Sequence, residues 1–220
     1  MKKILKTTNK EEEKHLSYFK LIELFEEDGC PICNGNKKEA YNYLDNLLYE
    51  NVNDNKIRNQ LRSSLGFCKE HSQLLIQIND SLGTAIIYND LLSYFGKKLT
   101  ADHFKTFKKK EKCHVCKIVE EETLNNLHLL ISYSDDSEFK NAFEKSSGLC
   151  AEHLISLLFL CKNKDSMEYF IRFHKEKIEM MRKNLEELIR KNDYRFRKEK
   201  ITGEEGKSWI KAVNFLNNWY

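Results

Sequence analysis

The chain has 220 residues, 40% of them apolar and 32% charged, with a formal net charge of +3. This balance excludes an intrinsically disordered segment and leaves enough length to bury a core, as one large domain or two small ones. So small a net charge does not by itself argue for nucleic acid, and no apolar run approaches the roughly 20 residues that cross a bilayer.

The start, Met1–Lys14, is polar and lacks the apolar stretch of a secretory signal, so the expectation is a cytoplasmic protein. In chain order, apolar residues recur every three or four positions, which predicts helices throughout and no strands. Leu16, Phe19, Ile22 and Phe25 line a first helix ended by Asp28-Gly29. Ala40, Leu44, Leu47 and Leu48 line a second, which dissolves into the Asn-rich loop Asn51–Asn55. Ile57 and Leu61 mark a short third helix stopped at Gly66; Leu74, Leu75 and Ile78 a fourth, closed by Asp80 to Gly83. A longer helix follows from about Thr84, through Tyr88, Leu91, Leu92, Phe95 and Leu99.

Then the pattern begins again. Val119, Leu124, Leu127 and Ile131 line a helix that ends in Ser132–Ser137, and Phe139, Ala142 and Phe143 a short one stopped at Gly148. Leu154, Leu157 and Leu158 come next, followed by a long helix through Met167, Phe170, His174, Met181, Leu185 and Leu188. The charged segment Arg195–Lys207, with Gly203 and Gly206, reads as a linker. Trp209, Val213, Phe215, Leu216 and Trp219 form a last amphipathic piece expected to pack back on the body as a lid.

Six landmarks keep one register across the two halves. Cys30 and Cys33 lie 83 residues before Cys113 and Cys116, while Gly66, Cys68, Glu70 and His71 lie 82 before Gly148, Cys150, Glu152 and His153. Chance does not supply six matches at one offset, so the chain is internally duplicated. The expected fold is an all-α, internally duplicated helical bundle with two pseudo-equivalent Cys/His metal sites and a C-terminal helical tail. Residues 1–83 form the first repeat, 84–192 the second, and 193–220 a linker and a helix packing back on the body, the repeats sharing one compact domain.

Each half holds four potential metal ligands: Cys30, Cys33, Cys68 and His71, then Cys113, Cys116, Cys150 and His153. Residues three apart at a helix start project to one side, so each pair can grip one ion, and two pairs give the closed tetrahedron of structural zinc. Pro31 suits the first helical position, which puts Cys30 and Cys33 at the positive end of a helix dipole. Gly66 and Gly148 end the preceding helices, so Cys68 and Cys150 are expected near fresh N-termini, where thiolates are favoured. In a reducing compartment such cysteines read as ligands rather than disulfides. Pairing is taken to lie within each repeat, with pairing across repeats, Cys30 and Cys33 with Cys150 and His153, as the alternative. Two zinc ions per chain are the expectation; an iron–sulfur cluster is the rival, although such clusters usually want four thiolates. Three thiolates around a divalent ion add one negative charge per site, bringing the chain to about +1.

Other chemistries fit less well. A c-type haem needs a histidine where Asn34 and Lys117 stand. A thioredoxin-like pair needs flanking strands, and a cysteine nucleophile would leave the duplicated thiols superfluous. No phosphate-binding glycine loop, His-Glu-x-x-His motif or carboxylate pair is present, so the reading leans against an enzyme. Glu70 and Glu152 are candidates to hydrogen-bond the ligand histidines from behind, with a solvated helix-start carboxylate as the plainer role. His114 is a possible substitute ligand but is expected to be exposed; Cys161 and His174 read as core. The basic stretches 105–112 and 190–200, with Phe104, Phe107, Tyr194 and Phe196 interleaved, make nucleic acid an alternative partner to an unknown protein.

Cys30-Pro31-Ile32-Cys33 with Gly66-Phe67-Cys68-Lys69-Glu70-His71, repeated at Cys113–Cys116 and Gly148–His153, resembles an uncharacterised bacterial family of duplicated helical proteins. Asp193-Tyr194-Arg195-Phe196 and Ser208-Trp209 are similar to that family's C-terminal end, so the resemblance spans nearly the whole chain. His114 departs from it, standing where proline is expected. The resemblance implies the architecture and no activity.

Overall fold

The computed structural model describes residues 16–109, 111–196 and 198–216. Among the described residues there are ten α-helices and no strand. The first repeat contributes α1 (Leu16–Phe25), α2 (Pro31–Glu50), α3 (Asn55–Ser64), α4 (Lys69–Ile78) and α5 (Ser81–Lys98). The second contributes α6 (His114–Ser132), α7 (Ser137–Lys145), α8 (Ala151–Leu160) and α9 (Lys164–Lys191), followed by α10 (Gly203–Leu216).

Caps repeat along with the helices. Asp54 caps α3 by accepting from Ile57 N at 2.9 Å, and Asp136, 82 residues on, caps α7 from Phe139 N at 2.9 Å. Asp80 caps α5 and Asn163 caps α9 in the same way. Asp80 to Gly83 therefore opens α5 rather than closing α4, which ends one residue earlier on left-handed Asn79. Gly83 lies inside α5, where a Cβ would stand 3.0 Å from the Leu48 side chain and 3.1 Å from its carbonyl oxygen; it lets α5 approach α2 closely. α5 packs on α2 and α3, with Ile87 and Leu91 buried among Leu44, Leu61 and Leu75.

At the centre α2 and α6 lie side by side. They are antiparallel, since Asn36 hydrogen-bonds Thr123 while Tyr43 meets the His114 ring. This sends the two Cys-x-x-Cys ends of α2 and α6 to opposite ends of the molecule. Each core is consequently built across the repeats. Tyr18, Leu21 and Phe25 of α1 and Ile32 of α2 sit with Leu127, Phe139, Phe143, Leu157 and Phe170 in one cluster. Cys113 and Val115 of α6 sit with Leu44, Leu61, Leu75 and Ile87 in the other. Aromatic edges tie the first exchange: Phe25 meets Phe139 and Phe143 with ring centroids 5.1 and 5.4 Å apart.

The C-terminal segment differs from a linker. Thr202 and Glu205 form a capping box: Thr202 N donates to Glu205 Oε2 at 2.8 Å, and Glu205 N to Thr202 Oγ1 at 3.3 Å. That Thr-x-x-Glu signal starts α10 at Gly203, inside the stretch read as a linker, and Lys191 anchors it through a well-covered ion pair with Glu205 at 2.8 Å. The helix does pack back, on α9 and α8. It docks through Glu205 and Ser208, with Ala212 and Phe215 half-buried, while Trp209, Val213 and Leu216 remain exposed. Trp219 lies outside the described residues.

Candidate metal centres

The four helices that begin at a cysteine each present the same local device. Cys30, Cys68, Cys113 and Cys150 are the N-caps of α2, α4, α6 and α8, and Cys33, His71, Cys116 and His153 follow three residues later in the first turn. The extended backbone of the cap turns its side chain toward the helix end, where the third helical residue also points. Pro31 at the first position of α2 loses no helical hydrogen bond there. His114 occupies that position in α6 and the helix starts all the same.

Two clusters result, each joining helix starts from different repeats. Cys30 and Cys33 of α2 meet Cys150 and His153 of α8; Cys68 and His71 of α4 meet Cys113 and Cys116 of α6. Within each set one atom from every residue lies within 4.8 Å of the others. Pairing within a repeat, the arrangement first expected, is replaced by pairing across repeats. The reason is helix length. At 20 residues α2 climbs about 30 Å, and ten-residue α3 returns about half of that. Cys68 is thus left far from Cys30, at the end where antiparallel α6 begins.

The separations match one tetrahedral ion. His153 Nδ1 stands 3.2 Å from Cys150 Sγ, 3.4 Å from Cys33 Sγ and 3.5 Å from Cys30 Sγ. In the other set His71 Nδ1 stands 3.1, 3.4 and 3.7 Å from the sulfurs of Cys68, Cys116 and Cys113. Cys33–Cys150 and Cys68–Cys116 are each 3.7 Å apart, sulfur to sulfur, and all six cysteines are free thiols. Tetrahedral bonds of about 2.3 Å to sulfur and about 2.0 Å to nitrogen require edges of about 3.8 and about 3.5 Å. The donor set therefore fits a metal ion in both clusters.

Electrostatics points the same way. Hydrogen bonds from Cys150 and Cys33 pull the Cys30 thiol well below its ordinary range, while Cys150, Cys30 and burial push Cys33 up. Burial acts upward on Cys113, but hydrogen bonds from His71 and backbone N–H groups outweigh it and bring the thiol down to about 6. Cys116 is pushed up to about 12 by burial and by Cys68. One thiol in each set ionises readily, and its charge holds the next one protonated. A divalent cation at the centre removes that conflict.

Around the clusters, Glu70 and Glu152 are exposed in the first turns of α4 and α8. Among the described residues neither hydrogen-bonds a cluster histidine, and both take the plainer role of charges at a helix start. His114 belongs to neither cluster, and it is half-buried rather than exposed, edge-on to Tyr43 with ring centroids 5.5 Å apart. Cys161 is buried, and its thiol donates to Asn163 O at 3.3 Å.

His174 has a role beyond filling the core. It is 2% exposed; its Nδ1 is 2.7 Å from Phe170 O, and its Nε2 accepts from Leu149 N at 2.9 Å, one residue before Cys150. Both contacts suit the neutral ring, so His174 pins the loop that delivers Cys150. Left-handed Gly148 makes this possible, since a Cβ there would stand 3.1 Å from Phe173 and 3.2 Å from His174 Nε2. Burial holds the His174 pKa down. The unfolded chain therefore gains a proton near pH 6.5 that the folded chain refuses, and stability falls as pH falls below about 6.5. Urea midpoints between pH 7.5 and 5.5 should fall more steeply for the native chain than for His174→Leu, by up to about 1 kcal/mol per pH unit. Equal slopes would place the titration elsewhere.

The chain matches a family of unknown function, DUF6062, over residues 13–111 and 100–220. It belongs to that family. The paired motif and the tail had implied a family of this kind. An uncharacterized 23.9 kDa protein in the xynA 3' region of Caldicellulosiruptor sp. (strain Rt8B.4) is 29% identical over 200 residues, spanning 89% of this chain and 98% of its own. No solved structure matches the chain.

Proposed function

We propose that this protein is a zinc-binding module in which two structural zinc ions, one per cross-repeat cluster, lock the halves into a rigid body that presents a surface to a protein partner. The single observation that carries this is the closed Cys₃His geometry at both clusters, with sulfur–sulfur separations of 3.7 Å. Three thiolates and an imidazole fill a zinc tetrahedron and leave no open position, which argues for holding rather than catalysis. An iron–sulfur cluster spreads its thiolates around several irons, and ligand atoms all within 4.8 Å of one another favour a single ion. The exposed stripe of Trp209, Val213 and Leu216 on α10, each more than half exposed, supports a partner-binding role.

No observation favours the nucleic-acid alternative. Arg190 binds Glu187 and Glu199, Arg195 binds Asp193, and Lys191 binds Glu205, so these cations of 190–200 are already matched. In 105–112, Lys112 is held by Glu120 and Phe107 is stacked on Phe95. No described helix is long and apolar enough to cross a membrane.

Elemental analysis of gently purified protein tests the reading. About two zinc ions per chain are expected, with six cysteines slow to react with a thiol reagent until the metal is removed. A brown protein containing iron, or a metal-free one with its thiols oxidised, would overturn it.

A further inference from the structure

An open groove of about 500 Å³ lies between α9, α10 and the loop that delivers Cys150. Its size falls within the range of small-molecule sites. One of its walls, α10, has no α-helical counterpart between α5 and α6 among the described residues. Met180, Met181, Ile210 and Phe215 supply an apolar wall, and Lys145, Lys177, Lys207 and Lys211 line the same space.

The charge of this lining is unbalanced. Lys211 is matched by Glu204 at 2.5 Å. Among the described residues Lys145, Lys177 and Lys207 have no carboxylate partner. The Lys177 ammonium instead donates to Ser146 O at 2.9 Å and lies over the Phe173 ring. Against these three cations the lining sets Asp28 beyond the Glu204 pair, and Cys30 and Cys150 bring the single negative charge of a metal-filled cluster, leaving an excess of one positive charge.

A thiolate cluster does not by itself call for unmatched lysines. Of the lysines beside the Cys113 cluster, Lys112 and Lys117 are each held by a glutamate, Glu120 and Glu111.

We propose that the groove binds a small organic phosphate, with its phosphoryl group among Lys145, Lys177 and Lys207 and its apolar body against Met180, Met181 and Ile210. Three ammonium groups can each meet one terminal oxygen of a phosphate monoester, where a carboxylate offers only two, and ammonium groups serve phosphate as point charges. The apolar wall selects an ester over the free ion, since burying a phenyl-sized group adds more than tenfold in affinity.

The test is calorimetric titration of the full-length, metal-containing protein with phenyl phosphate and with inorganic phosphate. Phenyl phosphate should bind, and inorganic phosphate at least about tenfold more weakly. A Lys145→Met/Lys207→Met variant changes two exposed side chains. It should keep its metal content and weaken phenyl phosphate binding by at least about tenfold, because two charge-assisted hydrogen bonds are lost. Absence of phenyl phosphate binding at millimolar concentration would overturn the proposal, as would unchanged affinity in the variant. So would loss of metal from the variant, which would assign the lysines to the thiolates. Metal content is counted separately, so failed binding leaves the zinc reading standing.

Discussion

Removing the metal from both clusters is expected to unfold the protein. Each ion would join the first turns of two helices from different repeats, α2 with α8 and α4 with α6. Without it, three sulfurs and an imidazole nitrogen remain packed within 4.8 Å of one another at each end, with the thiols opposing one another's ionisation. Structural zinc contributes about 10–16 kcal/mol of apparent binding free energy per site, against about 5–15 kcal/mol of net stability for a whole domain. Loss of two ions therefore exceeds what the cores can offset. After verified metal removal the chain should lose its cooperative thermal transition and most of its helical circular dichroism, and regain both when zinc is added back. A metal-free chain that melts as the native protein does would show that the cores suffice alone. Lower pH should act in the same direction, because protons compete with the metal for thiolates and imidazole.

Double substitutions separate pairing across repeats from pairing within them. Cys30→Ala with Cys150→Ala removes two ligands from one cluster, so the chain should lose one metal ion and keep the other. Cys30→Ala with Cys68→Ala removes one ligand from each cluster and should impair both. Pairing within repeats predicts the reverse order. Each lost site should lower stability by several kcal/mol, far beyond the roughly 1 kcal/mol of an ordinary surface substitution. Metal counted per chain, with the urea midpoint of each variant, decides between them. Equal metal loss in the two variants would leave neither pairing standing.

Much of the fold is legible in the residues. Apolar spacing places all ten helices, and the two glycines 82 residues apart mark the turn before each Cys-x-x-His. The helix starts that were misplaced share a cause. At Asp80 to Gly83 and at Thr202 to Glu205, turn-forming residues serve as N-caps, so a start reads as a stop or a linker when the side-chain bond is not seen. The apolar residues of α10 show a related limit. Spacing alone predicts that they face the body, yet only Phe215 is half-buried, while Trp209, Val213 and Leu216 are exposed and Glu205 and Ser208 are the buried residues of the helix. His174 was legible as core but not as the acceptor that fixes the approach to Cys150, since that depends on a contact 25 residues away.

By itself the sequence determined the helical class, the duplication and the identity of eight Cys and His side chains suited to a metal, because periodicity and Ncap-to-third-residue spacing are local properties of a chain. Only the tertiary structure decided which four meet. That depends on the length of α2 against α3 and on the antiparallel packing of α2 with α6, which carry Cys68 away from Cys30 and toward Cys113. Ligand identity is set within a single helical turn, whereas ligand pairing is set by where whole helices end.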